Sequence, residues 1–195
     1  MMAANPKDTP RHFYTLDEYF ALEQVGEARY EYWDGDIVCM SGGSQQHGRI
    51  GGNVYFMLRQ QLVGSNCDAF TGEIAIKTPQ LPPYRYPDAS VACGKATFEK
   101  IAGIDVLTNS TLIVEVLSPG TEGRDRHAKR LAYQSLPSLM EYLLIAQDAP
   151  HLTHFQRQGD LWVRSDYADL TLQIPLPSIG CGLAMREAYL GIEFQ

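Results

Sequence analysis

The chain has 195 residues, is 45% hydrophobic and 10% aromatic, and carries a formal charge of −7. That length supports one domain with a sizeable core, and a pI near 5.2 argues against a strongly basic nucleic-acid coat while leaving room for a local basic groove. Four cysteines stand far apart at 39, 67, 93 and 181, with no C-x-x-C pair, so reduced, buried thiols in a cytoplasmic protein are expected and a zinc site is not. No apolar run approaches the roughly twenty residues needed to cross a bilayer, and the first dozen residues lack the apolar segment of a signal peptide.

Residues 1–13, polar and holding Pro6 and Pro10, read as a flexible arm ahead of a single domain over 14–195. Thr15-Leu-Asp-Glu18 is a capping box that predicts a helix over 16–24. Residues 30–40 predict a hairpin turning at Asp34-Gly35, with Glu31 and Trp33 on one face and Tyr30 and Tyr32 on the other. From Ser44 to about residue 63, Ile50, Val54, Met57, Leu58 and Leu62 recur at helical spacing. His47 lies near the start of this helix, where a capping or surface role is the commoner one. Gly51-Gly52 weakens the helix unless that turn packs closely on a sheet.

Residues 66–77 predict one or two strands with a bend at Gly72, followed by a proline loop. Residues 88–93 form a short apolar strand entered through Pro87, and 96–101 suit a helical turn. The clearest strand covers 111–117, stopped by Ser118-Pro119-Gly120. Its Glu115 is the anomaly, because an ionised carboxylate among Leu112, Ile113, Val114, Val116 and Leu117 has to be paired, bound to a cation or protonated.

A helix over 124–135 follows, expected to turn Ala128, Leu131, Ala132 and Ser135 to the core. Asp125 and Lys129, four apart, share one edge of that face, so Lys129 can reach inward while Arg126 and Arg130 point away. Residues 139–146 read as another buried strand. Segments 151–155, 161–164 and 170–174 read as a C-terminal antiparallel meander, and 184–190 as a last helical turn.

Asp88, Glu115 and Lys129, in that order, match a chemical need. Metal-assisted phosphodiester hydrolysis uses oxygen ligands to hold Mg²⁺ and a nearby cation or base to serve the attacking water and the charged phosphate. Asp88 and Glu115 would bind the metal and Lys129 would assist the water.

At these residues the chain resembles the bacterial Uma-type restriction-endonuclease-like family of the PD-(D/E)xK nuclease superfamily. The resemblance rests on Glu31 in Tyr30-Glu-Tyr-Trp-Asp-Gly-Asp-Ile37, on Pro87-Asp88, on Val114-Glu-Val-Leu-Ser-Pro119 with Thr121, and on Asp125 and Lys129 ahead of Tyr133. It implies an α/β fold with a restriction-endonuclease-like mixed central β-sheet flanked by helices, a Mg²⁺ (or Mn²⁺) centre and a DNA substrate. The position two after Glu115, where the superfamily usually has lysine, is Leu117, and Lys129 fits a lysine moved to the next helix. Glu31 would add a carboxylate and His47 lies where the family often has histidine.

The expected function is a divalent-metal-dependent DNA endonuclease, catalytic through Asp88, Glu115 and Lys129, and a homodimer is expected because two-fold symmetry matches duplex DNA. Two other readings stay open. One is a catalytically inactive nuclease-like domain that binds nucleic acid or a protein partner; the other is that Glu115 and Lys129 form only a buried ion pair.

Overall fold

The structure, a computed structural model, describes residues 12–26, 28–40, 43–120 and 122–194. The chain divides into two compact units, Met1–Gly42 and Gly43–Gln195. Most of the expected N-terminal arm lies outside the described residues, as does Thr121.

In the first unit, α1 (Leu16–Val25) starts at the predicted capping box. Thr15 Oγ1 accepts from the Glu18 amide at 3.2 Å and Glu18 Oε2 accepts from the Thr15 amide at 2.7 Å, so two amides left over at the helix start find partners. Strands β1 (Tyr30–Trp33) and β2 (Asp36–Cys39) form the hairpin. Asp34 and Gly35 take φ values of 45° and 89°, the positive pair that a two-residue turn requires.

The second unit begins with α2 (Gln45–Gln61), capped by Ser44. The strands that follow are β3 (Cys67–Thr71), β4 (Ala75–Lys77), β5 (Tyr84–Arg85), β6 (Ala89–Cys93), β7 (Phe98–Ile101), β8 (Ile104–Leu107) and β9 (Leu112–Leu117). Next come α3 (Glu122–Arg124), a π turn (Asp125–Lys129) and α4 (Arg130–Gln134), then β10 (Glu141–Ala146), β11 (Leu152–Gln158) and β12 (Leu161–Tyr167). The unit closes with β13 (Gln173–Leu176), a 3₁₀ turn (Pro177–Ile179), β14 (Cys181–Ala184) and α5 (Met185–Ala188).

Six strands make the central mixed sheet, in the order β12-β11-β10-β9-β6-β3. Strands β9 and β10 run parallel and the other neighbours antiparallel. Both central strands are buried along their whole length, which is why they read as unbroken apolar runs. Side-chain alternation along β9 divides the core. Leu112, Val114 and Val116 pack with Ile50, Val54 and Leu58 of α2. Ile113 and Leu117 pack with Tyr133 of α4, Leu136 and Tyr142 on the other face, and alternation puts Glu115 there too.

Four local expectations are corrected. Residues 98–101 are a strand, not a helical turn, because they pair with β8 in a separate four-stranded sheet, β5-β4-β8-β7. The meander splits: β11 and β12 extend the central sheet, whereas β13 leaves it to pair with β14. A Cβ added at Gly51 would meet only the Val116 side chain, at 4.0 Å, and one added at Gly52 would meet nothing within 4 Å, so tight packing on the sheet does not account for that pair. Cys67 and Cys93, paired across β3 and β6, form a disulfide, Cys39 is exposed and Cys181 is partly buried. The spacing of 26 residues hid a cross-strand pair that the antiparallel register brings side by side. Among the described residues no helix is long and apolar enough to cross a membrane.

Candidate active site

The site forms where the loop before β6, the second half of β9 and the π turn meet. Asp88 is held at the mouth of β6 by its backbone: its amide donates to Val114 O at 3.0 Å. Its carboxylate accepts the Val116 amide at 2.6 Å through Oδ2, which places that oxygen on the peptide joining Glu115 to Val116. Gly72 makes room for this loop, since a Cβ there would stand 3.3 Å from Asp88 O and 2.8 Å from Pro87 O, the latter closer than a side chain tolerates. The bend read in the sequence at Gly72 is therefore a passing place for the strand entry that carries Asp88.

Glu115 and Lys129 are both nearly inaccessible, at 3% and 2%. Lys129 Nζ lies 3.2 Å from Glu115 Oε1 and 3.3 Å from Oε2. The same ammonium donates to Tyr86 O at 3.2 Å and lies 3.4 Å from Asp125 Oδ1. Tyr86 sits two residues before Asp88, so the lysine ties the loop bearing one acid to the strand bearing the other. Such a buried pair persists only with this kind of dense polar company, because each ion left alone would be strongly penalised.

The helix carrying Lys129 differs from its expected form. Asp125 and Lys129 are its buried residues in the π turn, and Ala132 and Tyr133 in α4. Leu131 is 57% exposed and Ala128 and Ser135 also face out, against the expectation that they line the core. A π turn inserts an extra residue and rotates the face that follows it. Here it presents the charged edge to the sheet because Glu115 needs a partner there. Tyr142, fully enclosed on β10, donates its hydroxyl to Asp125 O at 3.0 Å. Burial first, then the charges of Glu115 and Asp125, push its phenol well above the usual range, so it stays a neutral donor.

His47 projects from the first turn of α2 to within 3.4 Å of Asp88 Oδ2, and the two side chains are 24% and 22% exposed. They are the open members of the cluster. The hydrogen bond to Asp88 raises the His47 imidazole above its ordinary range, opposed by burial and helped by the charges of Asp88 and Asp125. Ser44 Oγ caps the same turn by accepting the His47 amide at 3.0 Å.

Asp88, Glu115, Lys129 and His47 are thus brought together. Glu31 stands in the other unit, buried, its Oε2 accepting the Trp33 indole N–H at 3.0 Å. Two further members were not picked out as site residues: Asp125, whose signal was its place four residues before Lys129, and the Tyr86 carbonyl, which no side-chain pattern marks.

The donors are hard oxygens. A Mg²⁺ or Mn²⁺ ion is commonly held by one or two carboxylates with water completing its shell, and Asp88 and Glu115 are the two carboxylates that could supply such oxygens. Among the described residues no group of three or more His, Cys, Asp and Glu side chains is spaced to hold a metal ion, so an ion at the two carboxylates would take most of its ligands from water.

Comparison with known proteins bears on the family and the fold. The Uma2 family, described as "Putative restriction endonuclease", matches residues 16–186. The uncharacterized protein slr1290 of Synechocystis sp. is 31% identical over 99% of this chain and all of its own length. A second uncharacterized Synechocystis protein, sll1609, is 31% identical over 75% of this chain and 82% of its own. The crystal structure of a protein from Anabaena variabilis titled a putative nuclease belonging to DUF820 superposes with a TM-score of 0.66 at 18% identity, covering 84% of this chain and 90% of that one. That last likeness is one of fold, a mixed central sheet flanked by helices.

Proposed function

The chain belongs to the Uma2 family, and from that premise we propose that it is a divalent-metal-dependent DNA endonuclease whose centre is Asp88, Glu115 and Lys129. What supports the reading most is a single arrangement: the Asp88 carboxylate on the Glu115–Val116 peptide, with Lys129 bridging Glu115 and the loop before Asp88. Two acids and a cation from three separate elements are held within one small volume, one acid open and the other enclosed.

In this mechanism Asp88 and Glu115 would hold Mg²⁺ or Mn²⁺, which would supply Lewis-acid stabilisation of a phosphodiester and lower the pKa of water. Lys129 would assist the attacking water and balance the charge that builds on the phosphate. Asp125 and the Tyr86 carbonyl keep that ammonium at its station, and Tyr142 braces the turn from behind through the Asp125 carbonyl. His47, whose Nε2 lies 3.4 Å from Asp88 Oδ2, would steady that carboxylate by donating to it. A two-fold dimer would set two such centres against the two strands of a duplex.

The test is nicking of supercoiled DNA by the full chain with Mg²⁺ and with Mn²⁺, alongside calorimetric metal titration. Metal-dependent nicking that disappears in Asp88→Ala supports the proposal. Metal-free DNA binding without turnover, unchanged in Lys129→Ala, would replace it with a non-catalytic nucleic-acid-binding domain.

A further inference from the structure

Beyond the C-terminal ends of the parallel strands β9 and β10 lies a cavity of about 340 Å³, lined among others by Ser118, Glu122, Arg126, Gln147, Asp148 and His151. Crevices at the carboxyl ends of parallel strands are where α/β folds place ligands, and this volume falls at the lower end of the range for small-molecule sites, about 300–1,000 Å³. Ser118 follows Glu115 by three residues, and Gln147 follows Ala146, the partner of Leu117 in the parallel register. The cavity therefore continues from the strand that bears the buried acid.

Gln147 is the informative side chain. Only 7% of its surface is accessible, and its Oε1 accepts a short hydrogen bond from Ser44 Oγ, the cap of α2. With the oxygen committed, the amide –NH₂ is the free end, and among the described residues it has no hydrogen-bond partner. A buried glutamine held by its oxygen and lining the cavity leaves its amide donor to a ligand there. The basic side chains there stand beside acids: Arg126 Nε is 2.7 Å from Glu122 and His151 Nε2 is 3.4 Å from Asp166. Together with Asp148, this is a lining of interspersed donors and acceptors. A bare phosphate would face carboxylates, whereas a base edge that carries both an acceptor and an amine meets a complement for each.

We propose that this cavity is a base pocket, receiving one unstacked nucleobase of the strand next to the phosphodiester cleaved at Asp88 and Glu115. The identity of the strand rests on the nuclease reading. Gln147 donates to a ring nitrogen or carbonyl of the base, and Asp148 and Glu122 accept from its exocyclic amine, so adenine, cytosine and guanine are favoured over thymine, which has no amine.

The experiment titrates the isotope-labelled full chain, without metal, with each of the four deoxynucleoside 5′-monophosphates and follows the Gln147 side-chain amide. The amino-bearing nucleotides shift it, with thymidine monophosphate weaker by about five-fold, the order of one hydrogen bond. Gln147→Glu keeps an oxygen for Ser44 and replaces the donor by an acceptor. It binds the amino-bearing nucleotides about ten-fold more weakly with unchanged Mn²⁺ affinity, compared at a temperature where both proteins are folded. A silent Gln147 amide, or a Gln147→Glu protein that binds as the parent does, overturns the pocket even if metal-dependent nicking proceeds. Shifts at Gln147 in a protein that never cuts DNA uphold the pocket and remove the nuclease reading.

Discussion

Two glutamates are buried in adjacent parallel strands, and they are settled in different ways. Glu141, at the start of β10, is fully enclosed. One oxygen lies 2.9 Å from His154 Nε2 and the other accepts from the Ser178 amide at 3.1 Å and from the Ser178 hydroxyl. Glu115, in the second half of β9, meets a lysine that it shares with a second carboxylate, and its cluster opens outward through Asp88 and His47. The first arrangement is closed by hydrogen bonds that pin the 3₁₀ turn to the sheet. The second gathers acids around one lysine and leaves a carboxylate at the surface. A buried charge alone does not mark function; acids gathered beside an open edge do.

The sharpest way to break this contrast is to remove the open carboxylate. Asp88→Ala is expected to lower metal-dependent cleavage on the order of a thousandfold and to abolish the calorimetric signal of Mn²⁺ binding. Comparable metal binding and cleavage in the variant would erase the distinction. Next in size is Lys129→Met. It leaves Glu115 and Asp125 enclosed without their shared ammonium and should cost about 3–5 kcal/mol in denaturant unfolding. Adding Asp125→Asn should return part of that loss if the two acids compete for the lysine, and a strictly additive double variant would count against it.

Glu141→Gln sharpens the comparison from the other side. It weakens the bonds to Ser178 and His154 and should cost about 1–3 kcal/mol of stability, with cleavage per folded molecule unaltered. A fall in activity with no fall in stability would move Glu141 out of the structural class.

The smallest effect is one of pH. His47 is more basic folded than free because of Asp88, so the folded state binds that proton more tightly. The stability it contributes is fully present below about pH 6.5, the unfolded value, and is lost as pH rises through the higher folded value. In metal-free protein, His47→Gln should flatten the Tm-against-pH curve in that window. A parent curve that rises with pH there, by an amount absent from the variant, would contradict the assignment.

Much of this was legible in the residues. The capping box at Thr15, the Asp34-Gly35 turn and the helix after Ser44 are local devices, and each appears where its chemistry places it. Glu115 declared itself by incompatibility with its neighbours, and Lys129 by standing four residues from Asp125 on the next helix. Residues 98–101 were misread because a short exposed strand with Phe98 and Ile101 at its ends carries no period of its own; β8 makes it a strand. On the lysine helix Ala132 and Lys129 face inward as read, whereas Ala128, Leu131 and Ser135 were misread because apolar spacing favoured them while the sheet below offered a carboxylate.

What the amino-acid order by itself determined was which groups had to be reconciled: an acid inside an apolar strand, an acid after Pro87 and a lysine in the following helix. Only the tertiary structure decided how. The π turn swung Lys129 under the sheet, Gly72 let the Asp88 loop approach, and the Tyr86 carbonyl and the Val116 amide completed the join. Backbone groups have no letter in the sequence, and a helix face is chosen by the strand it covers, so these contacts exist only once distant segments are packed together.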